Sequence, residues 1–162
     1  MPEPITLDPW LALHANIGEL VKAWKAAHES TFGLHWKKMP PFSWIFPQVD
    51  FIRIQRLMDT VMQQCSSQAS ITLKLHAAAK TTKNLAAQSK YYEAMIPYMG
   101  AVAKAALGLK TIANLKQSKL QGVNIPVKDA NPILLEYQAT CQEVQSAGVM
   151  VQLAWSQIRR QG

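Results

Sequence analysis

Lysine is the residue type through which this chain could do chemistry, and its lysines are concentrated in the middle third. Residues 60–128 hold nine lysines and a single acidic residue, Glu93, whereas the rest of the chain is nearly balanced in charge. The formal net charge of +7 therefore arises from one region. Ammonium groups without acidic neighbours attract polyanions such as the phosphate backbone of a nucleic acid. This distribution predicts a non-catalytic nucleic-acid-binding protein, an accessory subunit of a larger assembly, with DNA and RNA both open.

The predicted binding surface is centred on Lys80, Lys83 and Lys90. These lysines share an arc of about 80° if residues 74–90 form one helix. Hydroxyl and amide side chains surround them, as in surfaces that contact phosphates. Lysine in place of arginine favours contact with the backbone over reading of the bases. The complete predicted set is Lys74, Lys80, Lys83, Lys90, Lys104, Lys110, Lys116 and Lys119.

A solvated helix face is the simpler interpretation of the same lysines. Exposed helices usually mix lysine with glutamate, and the shortage of acidic residues is what favours a binding function. The main alternative function is a protein-binding or assembly subunit with no nucleic-acid contact. Its interface would be the stripe of the last helix or the aromatic side chains Trp36, Trp44 and Phe46, which otherwise cover the bundle. A homo-oligomer fits this alternative, and an anionic membrane surface is a weaker one.

Spacings that signal catalysis or metal binding are missing from the sequence. No glutamate has the Glu-x-x-His spacing of carboxylate-bridged metal sites, and the four histidines form no His-x-x-x-His pair. Cys65 and Cys141 each fall on an apolar helical stripe, as buried structural thiols do, although a bridge between them stays open. We therefore expect no enzyme, no metal site, no cofactor and no small-molecule substrate.

The composition predicts an all-α protein. Alanine, leucine, glutamine and lysine dominate between breaks marked by glycine and proline. We expect one domain over residues 1–162, a four- or five-helix up-and-down bundle that follows a short tail at residues 1–7. Asp8 and Pro9 form the signal that begins the first helix, which should end near Glu29. Residues 30–47 hold three prolines and five aromatic residues, which predicts an ordered aromatic crossover.

The later helices are marked by stripes and by prolines. The second helix should begin near Pro47, with polar residues 80–90 in or after it, and the dipeptide Ile96–Pro97 should end or kink the segment. A loop is expected at residues 121–131, before the last helix. The stripe of that helix is Leu134, Tyr137, Cys141, Val144, Gly148, Val151, Trp155 and Ile158.

The first residues and the apolar stretches of the chain add an expectation about location. The first residues lack the basic region and apolar run of a signal peptide. No stretch reaches the ~18–20 apolar residues that a membrane-spanning helix needs. We expect a cytoplasmic protein.

Overall fold

A computed structural model describes residues 8–33 and 49–161, which form four α-helices. The helices are α1 (Pro9–Phe32), α2 (Phe51–Lys80), α3 (Ala86–Leu120) and α4 (Val127–Gln161). The prediction of an all-α protein is thus confirmed for the described part of the chain. The crossover predicted at residues 30–47 is not tested, because residues 30–32 belong to α1 and residues 34–48 lie outside the described ranges. Trp36, Trp44 and Phe46 lie there as well.

The apolar stripes predicted from the sequence form the core. Each stripe repeats every three or four residues, so its side chains fall on one face of a helix. In α2 the stripe is Phe51, Ile54, Met58, Val61 and Cys65, all of which are buried. The buried members elsewhere are Leu13, Ile17, Val21 and Trp24 in α1, Val102, Ala105, Leu109 and Ile112 in α3, and Tyr137, Val144, Val151 and Ile158 in α4.

Helices that follow one another in the chain run antiparallel. α3 packs extensively on both α2 and α4, and α1 rests on α2 and α3. Side-chain contacts give the direction of α1: Lys116 near the end of α3 reaches Thr31 near the end of α1, and His14 reaches Tyr91 near the start of α3. α1 therefore runs parallel to α3. α1 and α4 barely approach each other at the level of the backbone, which leaves that side of the bundle open.

The chain reverses at residues 81–85, whereas Pro97, which was expected to end or kink a helix, lies inside α3. The hydroxyls of Thr81 and Thr82 both donate to the carbonyl of Ala78, which gives this carbonyl at the end of α2 hydrogen-bond partners.

Pro97 is exposed, and an interior proline costs a helix about 3 kcal/mol. Fully buried neighbours such as Met95 each contribute about 1.5–3 kcal/mol, so burial of the opposite face outweighs the proline.

The loop before α4 is shorter than expected. α3 ends in a Schellman motif, in which the N–H of Val123 donates to the carbonyl of Ser118 and the N–H of Gly122 donates to that of Lys119. Gly122 has a φ of 86°, which favours glycine at this position. α4 then begins at Val127, because Pro126 supplies the carbonyl that starts the helix, and Pro132 is tolerated near its beginning.

The stripe of α4 was one of two interfaces considered for a partner protein. Its residues Tyr137, Val144, Val151 and Ile158 are instead buried within this chain. A side chain in the core cannot at the same time cover a second molecule. The core of the bundle thus uses these four residues, whereas Leu134, Cys141, Gly148 and Trp155 are only half-buried, so an interface on this stripe stays a prediction.

Gly108 lies at a point of close approach between α3 and α4. A Cβ atom at this position would lie 2.8 Å from Cδ2 of Tyr137. The Tyr137 ring cannot move away freely, because its hydroxyl bonds Nδ1 of His28 at 2.8 Å. At Gly100, by contrast, a Cβ atom would meet no described atom within 4 Å.

We predict opposite effects for alanine at these two glycines. Gly108→Ala should lower the free energy of unfolding by about 1–2 kcal/mol, since overpacking costs more than the gain in helix propensity. Gly100→Ala should raise it by up to ~1 kcal/mol, because only the propensity changes. Urea denaturation followed by circular dichroism measures both. Equal effects in the two variants would contradict the tight α3–α4 contact.

Candidate functional site

Three central lysines of the predicted site meet at the turn between α2 and α3. Lys80 ends α2, Lys83 lies in the turn and Lys90 lies in the second turn of α3. All three are exposed, and none forms an ion pair within the described ranges. The expectation that residues 74–90 form one helix is wrong, because the chain reverses between Lys80 and Lys90. The reversal brings the lysines to one end of the bundle.

Two arginines of α4 lie at the same end. The Trp155 ring is 5.8 Å from the Tyr91 ring, so the last turn of α4 lies level with the beginning of α3. Arg159 and Arg160 follow Trp155 by about one turn and are exposed. We call the set Lys74, Lys80, Lys83, Lys90, Arg159 and Arg160 the basic end. From the sequence, Arg159 and Arg160 were possible extensions of the lysine surface, as were Arg53 and Arg56. The antiparallel packing of α4 places the first pair, and not the second, at this end.

Helix dipoles explain part of the basic end but not all of it. Lys80, Arg159 and Arg160 lie in the last turns of their helices, where a cation is favoured by about 0.3–1 kcal/mol. Lys83 lies between helices and Lys90 lies near the start of α3, where a cation gains nothing from the dipole. Within the described ranges, neither an ion pair nor a helix dipole accounts for the positions of these two lysines. They are therefore the best candidates for binding a partner.

Three of the other predicted lysines, Lys104, Lys110 and Lys116, contact groups of the protein itself. Lys104 Nζ lies 3.3 Å from Glu143 of α4, and Lys110 Nζ lies 2.6 Å from Asp59 of α2. Each of these exposed pairs stabilises by at most ~1 kcal/mol but accounts for the position of its lysine. The eight predicted lysines therefore do not form one surface.

Lys116 has a structural role at the end of α1. Its Nζ atom donates to the backbone carbonyl of Thr31 at 2.6 Å and lies 4.9 Å from the centre of the Phe32 ring. The last carbonyls of a helix have no partner within the helix, so this ammonium group caps α1 from α3. The contact also lies over an aromatic face, which attracts a cation.

The remaining lysine, Lys119, lies far from the basic end. α3 has 35 residues, so its two ends are about 52 Å apart at 1.5 Å per residue. Basic and acidic residues are mixed around Lys119: Arg53, Arg56, Lys119 and Lys128 lie in the same half of the bundle as Glu29, Asp50, Asp129 and Glu136. At the basic end the described acidic residues are Asp8 and Glu93. Among residues 8–33 and 49–161, the excess positive charge is therefore at one end.

Two histidine–tyrosine pairs were not predicted from the sequence. His14 Nδ1 lies 2.9 Å from the hydroxyl of Tyr91, and His28 Nδ1 lies 2.8 Å from the hydroxyl of Tyr137. His14 also stacks on the Trp155 ring, with 3.7 Å between centroids. The two histidines are 14 residues apart, which is four helical turns, so one face of α1 carries both. This spacing of the two histidines is the one feature of the sequence that could have indicated the pairs.

Burial controls the ionisation of these groups. Burial lowers the pKa of His14, and it lowers that of His28 although Glu29 acts in the opposite direction. Each neutral imidazole can accept a hydrogen bond from the hydroxyl of its tyrosine. Burial also raises the pKa of both Tyr91 and Tyr137. Burial likewise raises the pKa of the Cys65 thiol to about 11, which leaves it a poor nucleophile at neutral pH. Cys65 and Cys141 are both free thiols.

Comparisons of the chain with protein-family models, with curated proteins and with solved structures found no match. Within residues 8–33 and 49–161, no helix is both long enough and apolar enough to cross a membrane.

We predict that acid destabilises the fold through the two histidines. Their pKa values are lowered in the folded state from the ordinary 6.5, so below that pH the unfolded chain binds protons more readily. The stability is complete above pH 6.5 and decreases as the pH falls towards the folded-state values. The variant with His14→Gln and His28→Gln should show a flatter decrease in the free energy of unfolding between pH 7.5 and 5.5. Parallel curves for the two proteins would count against this origin of the acid sensitivity.

Proposed function

We propose that this protein binds the phosphate backbone of a nucleic acid at the basic end of its bundle, as a non-catalytic accessory subunit. One observation carries the proposal. The reversal at residues 81–85 gathers exposed cations at one end, where Lys83 and Lys90 have neither an ion-pair partner in the described chain nor a favourable dipole. The proposed site is thus narrower than the eight lysines of the sequence and includes Arg159 and Arg160.

The geometry favours charge attraction over base recognition. Thr81 and Thr82 were expected to supply hydrogen-bond donors to phosphates, but both hydroxyls donate to Ala78. The cations that remain are carried mostly by flexible lysine side chains, which act as point charges. A surface of this kind binds with little sequence preference and strong dependence on salt. Binding across the end of the bundle also leaves its sides free for other subunits.

A second candidate function is a protein-binding subunit without nucleic-acid contact. Val149, Met150 and Leu153 of α4 are each more than half exposed and lie within about one turn of each other. Neighbouring exposed apolar side chains of this kind mark protein interfaces. Analytical ultracentrifugation of the unaltered protein and of the Leu153→Ser variant tests this candidate. An assembly that forms in the unaltered protein and not in the variant supports it.

Charge reversal at the basic end should abolish most of the nucleic-acid binding. Fluorescence anisotropy of labelled single- and double-stranded DNA and RNA is measured at about 50 and 200 mM salt. We expect Lys83→Glu with Lys90→Glu to weaken binding at least tenfold and to reduce the salt slope by about 2 on duplex DNA, since each neutralised phosphate contributes ~0.9. The two positions are exposed, so the melting temperature should change little.

The control makes the same change of charge at the opposite end. Lys119→Glu with Lys128→Glu alters two exposed lysines at the other end of the bundle, where Lys119 lies about 44 Å from Lys90 along α3 at 1.5 Å per residue. This variant should bind nearly as well as the unaltered protein. Equal losses in both variants would show that overall charge, and not the basic end, attracts the nucleic acid. Failure of the unaltered protein to bind at the lower salt concentration would overturn the proposal.

A further inference from the structure

Trp10 brings an aromatic ring to the basic end. It lies in the first turn of α1, which runs parallel to α3, so this turn lies at the same end of the bundle as Lys90. The centre of the Trp10 ring is 4.9 Å from that of Trp155, which is level with the beginning of α3. The basic end therefore combines exposed cations with an aromatic side chain.

The contacts of Trp10 leave part of its ring open to solvent. Trp155 is enclosed by rings, since it stacks on His14 with 3.7 Å between centroids and also meets Tyr91 and Trp10. Within the described ranges, the Trp10 ring meets only that of Trp155, at an interplanar angle of 64°. Two rings at such an angle are in edge-to-face contact and are not stacked. Trp10 is half-buried, so it keeps accessible ring surface on which no described ring is stacked.

Cations of two other helices lie at the level of this ring. Arg159 and Arg160 follow Trp155 by about one turn of α4, and Lys90 lies in the second turn of α3. The side chains of all three cations are exposed. The two acidic residues described at this end do not balance its six cations. A ligand that covers Trp10 is therefore within the region of excess positive charge.

An accessible aromatic ring distinguishes single strands from duplexes. In a duplex the faces of each base are covered by the neighbouring bases, so a protein reaches the base edges through the grooves. In a single strand the faces of the bases are accessible, and they stack on aromatic side chains that lie in a positively charged groove or surface. The combination of Trp10 with nearby cations therefore fits an unpaired base.

The shape of the basic end gives the same preference. Within residues 8–33 and 49–161, this end consists of the turn at residues 81–85, the first turns of α1 and α3 and the last turn of α4. These helices run along the bundle, so none of them lies across its end. A helix that reads the bases of a duplex lies in the major groove. The basic end can meet a duplex only at its backbone, whereas it can meet a single strand at both backbone and base.

We propose that the basic end binds a single strand of nucleic acid in preference to a duplex, with one unpaired base stacked on Trp10. Arg159, Arg160 and Lys90 attract the neighbouring phosphates. This site rests on the function proposed above and adds to it the type of strand and a contact with the base. Because every base has an aromatic face, stacking on Trp10 keeps the low sequence preference that charge attraction gives.

The test compares oligonucleotides with and without bases. Labelled thymidine and uridine oligomers of about 12 nucleotides are titrated beside the abasic oligomer of each, which has the same number of phosphates, at about 50 mM salt. The unaltered protein should bind the oligomers with bases at least about fivefold more tightly. Trp10→Leu should remove most of this difference and leave the affinity for the abasic oligomers unchanged. Trp10→Phe keeps an aromatic ring, so it should keep most of the affinity and lose most of the quenching of tryptophan fluorescence by the uridine oligomer.

The outcomes separate stacking from charge attraction. Equal affinity of the unaltered protein for oligomers with and without bases overturns the stacked base and leaves backbone binding in place. Equal quenching in Trp10→Phe and the unaltered protein, or an unchanged base preference in Trp10→Leu, overturns the location at Trp10. Tighter binding of a duplex of the same length overturns the strand type. A base preference in the thymidine or the uridine oligomer supports the site, and the tighter of the two identifies DNA or RNA. Failure to bind any of these probes overturns both this site and the proposed function.

Discussion

The burial of α3 is the constraint on which the rest of the structure depends. α3 contacts every other helix, and its side chains Tyr91, Val102 and Leu109 are completely buried. Such burial supplies about 1.5–3 kcal/mol per large apolar side chain, which is enough to carry the helix through Pro97. The direction of α3 then fixes that of its neighbours. α2 and α4 pack antiparallel to it, while α1 is parallel to it and is capped by Lys116.

The position of each lysine along α3 decides its role. Lys104 and Lys110, in the middle of the helix, face the neighbouring helices and meet Glu143 and Asp59. These exposed pairs contribute little energy, yet they remove two cations from the surface that a partner could use. Lys90, near the beginning of α3, forms no ion pair in the described chain, although Glu93 follows it by three residues. A charge imbalance that is spread over residues 60–128 in the sequence thus becomes concentrated at one end of the fold, and this local excess supports the proposed nucleic-acid site.

α1 is attached differently from the other helices. It is the shortest of the four, it packs on α2 and α3, and it meets α4 mainly through aromatic and histidine side chains near its two ends. Hydrogen bonds between neutral histidine and tyrosine depend on pH and contribute only about 0.5–1.5 kcal/mol each. The open side of the bundle follows from this arrangement, because α1 and α4 make little backbone contact. The expected acid sensitivity therefore concerns the contact between α1 and its neighbours α3 and α4.

The sequence by itself determined that the described chain is helical and which side chains form its core, because apolar spacing of three and four residues is a local property of each helix. It also showed that positive charge is concentrated in residues 60–128. Only the tertiary structure decided where the chain reverses. The sequence offers two possible breaks, the polar residues after Lys80 and the proline at 97. Burial of the opposite face of α3 keeps the helix continuous through Pro97, so the reversal occurs after Lys80. Only packing could join Arg159 to Lys90 or His28 to Tyr137, because such contacts link residues far apart in sequence. The three-dimensional separation of lysines into structural and available groups is likewise a property of packing.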